Sequence, residues 1–190
     1  MSLPPFALVT GNPGKLAEAR RILAAAYPGP PACEAVELDL PEIQSLDIRQ
    51  ILRAKAEEAW RRLGRPLVVE ETGLYLAAMG GFPGPLVKWM LEAVTPEGIA
   101  RTAKALGDDR VEARCALLYK ERAREVLAEG ATHGRLVLPG RGSGGFGWDP
   151  VFLPDGESLT YGELPSAEKD RIGHRGRAWR ALAARIDEPS

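Results

Sequence analysis

The chain has 190 residues, 45% hydrophobic and 27% charged, with a net charge of -1. That is the composition of an ordinary globular protein with one substantial core, drawn out at most into two lobes, and nothing in it favours nucleic acid or an anionic membrane as a partner. No apolar run reaches the ~18 residues of a membrane helix, and Met1-Ser2-Leu3-Pro4-Pro5 carries no basic region, so neither a membrane span nor a signal peptide is expected.

Phe6 to Val9 reads as a buried strand, followed by a tight polar turn, Thr10-Gly11-Asn12-Pro13-Gly14-Lys15. Leu16, Ala19, Ile22, Leu23 and Ala26 recur at helical spacing until Pro28-Gly29-Pro30-Pro31 stops the helix. Cys33 to Leu38 reads as a second strand ending in Asp39-Leu40-Pro41-Glu42, and Ile48 to Leu63 as an amphipathic helix. Strand, helix, strand in this order predicts an α/β domain. Leu67-Val68-Val69 is a strand that stops on Glu70-Glu71, with a glycine turn at Gly73.

Gly80-Gly81-Phe82-Pro83-Gly84-Pro85 is too stiff and glycine-rich for helix or strand. Helical segments follow at Lys88 to Ala93 and Thr95 to Leu106. Val111 to Tyr119 and Arg124 to Val137 read as a long antiparallel hairpin. This hairpin is expected to build a second lobe, with a cleft between it and the N-terminal part. After a second glycine-rich loop, Arg141 to Gly147, come a short strand at Val151 to Leu153 and a last helix from His174 to Ile186. No internal repeat and no linker divides the chain, so residues 1–190 read as one domain.

Several of these segments have the composition of a chemical site. Two adjacent carboxylates at a strand end cost free energy unless a cation or a polarised water balances them, so Glu70-Glu71 reads either as metal or acid–base chemistry or as a solvated strand end. Glu42 would complete a carboxylate cluster for a hard divalent ion, or is a surface residue. The Thr10–Lys15 turn, between strand and helix, is a phosphate-binding turn or a structural one; it lacks the spacing of a Walker A loop. Phe146-Gly147-Trp148-Asp149 offers stacking faces and an acceptor for base N–H groups, or plugs the core. His174-Arg175 begins a helix and would read base carbonyls, or cap and cover. Of the 25 basic residues only Lys15, Lys55, Lys88, Lys104, Lys120 and Lys169 are lysines, so each marks a place where a compact ammonium matters or stands there by chance. Cys33 and Cys115, far apart and without partners at metal spacing, read as reduced core thiols.

Together these segments, with Lys88-Trp89 and Ala167-Glu168-Lys169, resemble the inosine triphosphate pyrophosphatase, or Ham1, family, over about Phe6 to Ala178. The Pro-Gly-Pro-x-x-Lys-Trp run is closer to the family's eukaryotic branch. The resemblance implies a long mixed sheet flanked by helices, in two lobes with a central cleft. It implies hydrolysis of deaminated purine nucleoside triphosphates (ITP, dITP, XTP) to the monophosphate and pyrophosphate, with Mg²⁺, in a cytoplasmic homodimer. Carried over residue by residue, Thr10, Gly11, Asn12, Pro13, Gly14 and Lys15 hold the triphosphate beside Thr72, with Lys55, Lys88 and Lys169 on the phosphates. Glu42, Glu70 and Glu71 hold the metal, and Glu71 is also the general base. Phe146 stacks on the base within the Gly147-Trp148 loop, while Asp149, His174 and Arg175 read its edge. A Maf-like nucleotide pyrophosphatase of other base preference and a nucleotide-binding module without turnover are the alternatives. The base-reading motifs argue against the first and the retained acids against the second. Two departures stand out: Glu71 where the family usually has Asp, and Gly173 where it usually has Ser.

Overall fold

The computed structural model describes residues 5–26, Gly29 and residues 33–186. The N-terminal Met1 to Pro4 and the prolines of the expected helix stop, Pro28, Pro30 and Pro31, lie outside the described residues. In chain order the elements are β1 (Phe6–Val9), α1 (Pro13–Ala26), β2 (Cys33–Val36), α2 (Ile48–Leu63), β3 (Leu67–Leu76), β4 (Pro83–Gly84), α3 (Val87–Ala105), β5 (Arg110–Glu121), β6 (Arg124–Leu136), β7 (Phe152–Pro154), α4 (Ser166–Ile172) and α5 (His174–Ile186). The strands form one mixed sheet in the order β2-β1-β3-β5-β6-β7, with β4 paired to β3.

Both faces of the inner sheet are covered, so its strands are apolar throughout rather than alternating. On one face Phe6, Leu8, Val68 and Leu117 pack against Ile22 and Leu23 of α1 and Trp179 and Leu182 of α5. On the other, Ala7, Leu67, Val69 and Leu118 pack against Leu52, Ala56 and Ala59 of α2. Helix α2 has the bounds read from the sequence, because Asp47 caps its start by accepting from Arg49 N–H at 2.9 Å and Gly64 ends it at φ 61°.

The structure corrects the reading of the Glu70-Glu71 pair. β3 does not stop there. The parallel pairing to β1 ends at Val9 beside Val69, but β5 pairs antiparallel with all of β3, from Leu67 opposite Lys120 to Leu76 opposite Val111. Gly73 is no turn; a Cβ there would stand 2.9 Å from the Gly84 backbone, so glycine is what lets β4 lie against the strand. A strand that continues puts successive side chains on opposite faces. Glu70 therefore shares the face of Val68, toward α1 and α5, and Glu71 the face of Val69, toward α2.

The expected hairpin is present as β5 and β6, but it is not the second lobe. β5 is a central strand that runs through the whole sheet. The outer lobe forms around the far halves of β3 and β5, where Leu74, Leu76, Val111 and Ala113 pack with Val87 and Ile99 of α3 and with Val151, Phe152 and Tyr161. The two helical segments read around Thr95 are the two arms of α3, which bends at Thr95, φ 62°, just before Pro96. The Phe82–Pro85 loop includes the two-residue strand β4. Helix α4 was not expected. Only Gly173 separates it from α5, and a Cβ at 173 would stand 2.5 Å from the Lys169 carbonyl oxygen. That crowding is a local reason for glycine at this junction. No described helix is long and apolar enough to cross a membrane.

Candidate active site

Where β1 ends and β3 continues, the sheet opens into a cleft of about 890 Å³ between the lobes. Thr10, Gly11, Asn12, Lys15, Glu42, Lys55, Glu70, Glu71, Thr72, Lys88, Phe146, Gly147, Trp148, Asp149, His174 and Arg175 all line it. Of the site residues that the resemblance implies, Pro13, Gly14 and Lys169 do not.

The turn after β1 is held by its own side chains. Thr10 Oγ1 accepts from Asn12 N–H at 3.0 Å, and Asn12 Oδ1 accepts from Gly14 and Lys15 N–H at 2.8 and 3.3 Å. Asn12 is thus the N-cap of α1, with Pro13 at the first helical position. Two of the helix N–H groups expected to face phosphate are thereby taken, and what this turn offers the cleft as positive charge is the Lys15 side chain. Gly14 instead makes room for the aromatic loop: a Cβ there would meet the Phe146 ring at 3.3 Å.

The three acids do not form the expected cluster. No group of three or more potential metal-ligating His, Cys, Asp or Glu side chains occurs among the described residues. The alternation along β3 explains this, since Glu70 and Glu71 leave the strand on opposite faces. Each has its own cations. Lys55 on α2 reaches Glu71 Oε2 at 2.6 Å and Glu42 Oε1 at 2.7 Å. Glu70 Oε1 takes Arg175 Nε at 3.0 Å and Lys15 Nζ at 3.2 Å, while Glu70 Oε2 is buried with no hydrogen-bond partner. Burial alone would raise the Glu70 carboxyl; Arg175 and Lys15 outweigh it and hold the carboxyl below its ordinary value. Burial likewise opposes ionisation of Glu42, and Lys55, with Lys88 and Lys15 farther off, outweighs it in the same direction.

In the aromatic loop, Asp149 Oδ2 accepts from Phe146 N–H at 2.7 Å and from Lys169 Nζ at 2.6 Å. The same oxygen would lie 2.0 Å from a Cβ at Gly145, whose φ is +73°, so this loop requires glycine there. That oxygen of Asp149 is thus spent on holding the loop. Even so, burial pushes the Asp149 carboxyl above its ordinary value, more than Lys169 and the Phe146 amide pull it down. The Phe146 ring lies 5.0 Å from Lys169 Nζ and 5.1 Å from Arg175 Cζ, both in cation–π range.

Arg175 is fully buried between two carboxylates, Glu70 and Glu18. Glu18 also takes Lys169 Nζ at 3.2 Å, so a buried charge chain runs Lys15–Glu70–Arg175–Glu18–Lys169–Asp149 from one end of the cleft to the other. Sequence reasoning missed Glu18. Its signal was there: on α1 it falls three residues after Lys15 and four before Ile22, a charge set in the buried stripe.

His174 is buried, its ring 5.8 Å from Tyr161 and 6.2 Å from Trp148, and neither ring nitrogen has a partner. Burial, with the positive charges of Arg175, Lys169 and Lys15, holds it well below its ordinary value of 6.5, so it is neutral and keeps one donor and one acceptor free. The stability linked to a group with a depressed pKa is fully present above its unfolded value and is lost as pH falls. Urea unfolding should therefore show stability falling below about pH 6.5, by up to about 1.4 kcal/mol per pH unit from this residue. His174→Gln should flatten that decline; an unchanged slope would mean that His174 does not cause it.

Fold and cleft together define a two-lobed α/β protein whose cleft gathers cations, carboxylates and aromatic rings. The Ham1 family profile matches residues 6–185, and the chain belongs to that family. It is 44% identical to inosine triphosphate pyrophosphatase 2 of Trypanosoma cruzi, over 93% of this chain and 89% of that one. It is 37% identical to the inosine triphosphate pyrophosphatase of Puccinia graminis f. sp. tritici, over 90% of both. Among solved structures, a HAM1 protein from Coxiella burnetii superposes with a TM-score of 0.81 at 23% identity, covering 98% of this chain and all of that one, a likeness of fold.

Proposed function

We infer that this chain hydrolyses deaminated purine nucleoside triphosphates, ITP, dITP and XTP, to the monophosphate and pyrophosphate. The observation that carries this reading is the make-up of the cleft. Lys15, Lys55 and Lys88, with three carboxylates, line it together with Phe146, Trp148, neutral His174 and Arg175. A triphosphate suits the first group and a purine the second.

In this reading the lysines bind and orient the triphosphate. Glu71 orients the attacking water and takes its proton as that oxygen bonds to the α-phosphorus; the α–β bridging bond breaks and its electron pair leaves with pyrophosphate. The acids form no single cluster of three, but a hard divalent ion needs only one or two carboxylates and completes its shell with water and phosphate oxygens, so Glu42 with Glu71, or Glu70 through its unpartnered Oε2, would fit it. Mg²⁺ there would supply charge neutralisation on the triphosphate. Phe146 stacks on the base, and the remaining donors of Arg175 favour a 6-keto oxygen over the 6-amino group of ATP. Lys169 acts through Asp149 and Phe146, which it holds, rather than from the cleft surface. We also propose that the chain is one domain, since β3, β5 and β6 run unbroken through both lobes, and that it works as a cytoplasmic homodimer.

The test is the first product. With ITP and XTP the protein should release pyrophosphate and no orthophosphate, and a chelator should abolish turnover. Orthophosphate as the first product would place attack at the γ-phosphorus and overturn the mechanism.

A further inference from the structure

Lys55 has the geometry of more than a phosphate contact. Its ammonium sits between the two carboxylates on the α2 side of the cleft, 2.6 Å from Glu71 Oε2 and 2.7 Å from Glu42 Oε1. Its side chain is 14% exposed and that of Glu71 16%, so solvent screens this pair little. Across the strand the situation differs. Glu70 meets its cations through Oε1 alone and leaves Oε2 uncommitted. Glu42 and Glu71 thus share one lysine, each through a single oxygen, while Glu70 Oε2 has no partner.

We propose that Lys55 and a divalent cation compete for Glu42 and Glu71, and that the triphosphate decides the competition by drawing the ammonium onto its own oxygens. An ammonium and a metal ion cannot hold the same carboxylate oxygens at once, because like charges at such a distance repel in a partly buried site. While Lys55 stays on the acids, its charge opposes a cation at Glu42 and Glu71, and the cation binds weakly. Triphosphate offers Lys55 a denser set of acceptors, and its departure frees Glu42 for the cation and Glu71 for the water. The base is thus engaged by Lys55 until the substrate that needs it arrives, and the cation enters with the nucleotide rather than before it.

This inference rests on reading Glu42, Glu70 and Glu71 as the cation-holding end of the cleft, but its test needs no nucleotide and no turnover. Mn²⁺ is titrated into the nucleotide-free protein and the free ion followed by electron paramagnetic resonance, for the parent, Lys55→Met and Lys55→Arg. Lys55→Met keeps the length and apolar stem and removes the charge. It should bind Mn²⁺ about tenfold more tightly than the parent or better, since two carboxylates lose their competing cation. Lys55→Arg keeps a competing cation and should stay near the parent. Should Lys55→Met fail to fold, as judged by circular dichroism, Lys55→Gln takes its place with the same expectation. Mn²⁺ affinity that is unchanged or weaker in the neutral variant overturns the proposal, and so does equal tightening in Lys55→Arg. A parent that releases no pyrophosphate from ITP would instead overturn the proposed function, whatever the Mn²⁺ titration gives.

Discussion

Glu71→Gln should lower kcat for ITP by ~10²–10⁴-fold, with KM little changed. That range corresponds to about 3–5 kcal/mol of lost transition-state stabilisation. The two adjacent glutamates are not equivalent candidates for the base. Glu70 is buried, with one oxygen committed to Arg175 and Lys15, and those cations make its carboxylate a weaker proton acceptor. Glu71 lies on the other face of β3. Its carboxylate lines the cleft and is tied by Lys55 and by a long 3.3 Å bond from Thr72 N–H. Glutamine preserves the shape and can still accept from Lys55, so the change isolates the charge. The readout is steady-state kinetics at several metal concentrations. A raised KM, or a raised metal requirement, with kcat preserved would make Glu71 a binding residue and remove it as the base.

How far the sequence carried this picture follows from which forces act locally. α2 and α5 have the bounds expected from their apolar stripes, because caps and amphipathic spacing are properties of neighbouring residues. The two arms of α3 were legible as helical segments, Lys88 to Ala93 and Thr95 to Leu106, but their joining into one helix bent at Thr95 was not. The end of β3 was not legible. Glu70-Glu71-Thr72-Gly73 looks like a strand stop, and what carries the strand on to Leu76 is pairing with β5, some forty residues later in the chain. From that one error came the next: acids taken as side by side at a strand end stand on opposite faces of a continuing strand. The cleft residues were found because their motifs are short and rich in unusual residue types. Glu18 was missed: its place in the stripe of α1 marks a buried charge, but nothing near it in sequence announces that Arg175 and Lys169 will come to lie against it.

The removal of Arg175 tests that buried chain most directly, and it separates stability from base choice. Arg175→Ala leaves Glu70 and Glu18 without the guanidinium that neutralises both. Breaking a buried pair by deleting one partner costs about 3–5 kcal/mol. At 2–4 °C per kcal/mol for a chain of this size, Tm should drop by roughly 10 °C. The pH dependence has a defined sign. Glu70 is held below its ordinary value of 4.5, so the stability linked to it is present above that pH and lost as pH falls through and below it. The difference in stability between the parent and Arg175→Ala should therefore be largest at neutral pH and shrink in acid; a difference independent of pH would mean that the Glu70 charge is not what Arg175 stabilises. Base choice needs the gentler variant. Arg175→Lys keeps a positive charge between the two acids but loses the planar fork of donors. ITP offers a 6-keto acceptor where ATP presents an amino donor, and a donor left unpaired in a buried site costs ~1–3 kcal/mol. The ITP:ATP ratio in kcat/KM should fall by about one to two orders of magnitude in Arg175→Lys, while Tm stays closer to the parent than in Arg175→Ala. If the ratio survives intact in a folded Arg175→Lys protein, Arg175 serves the buried charge chain alone, and the discrimination must come from other groups at that end of the cleft, with the unpartnered nitrogens of His174 the next to test.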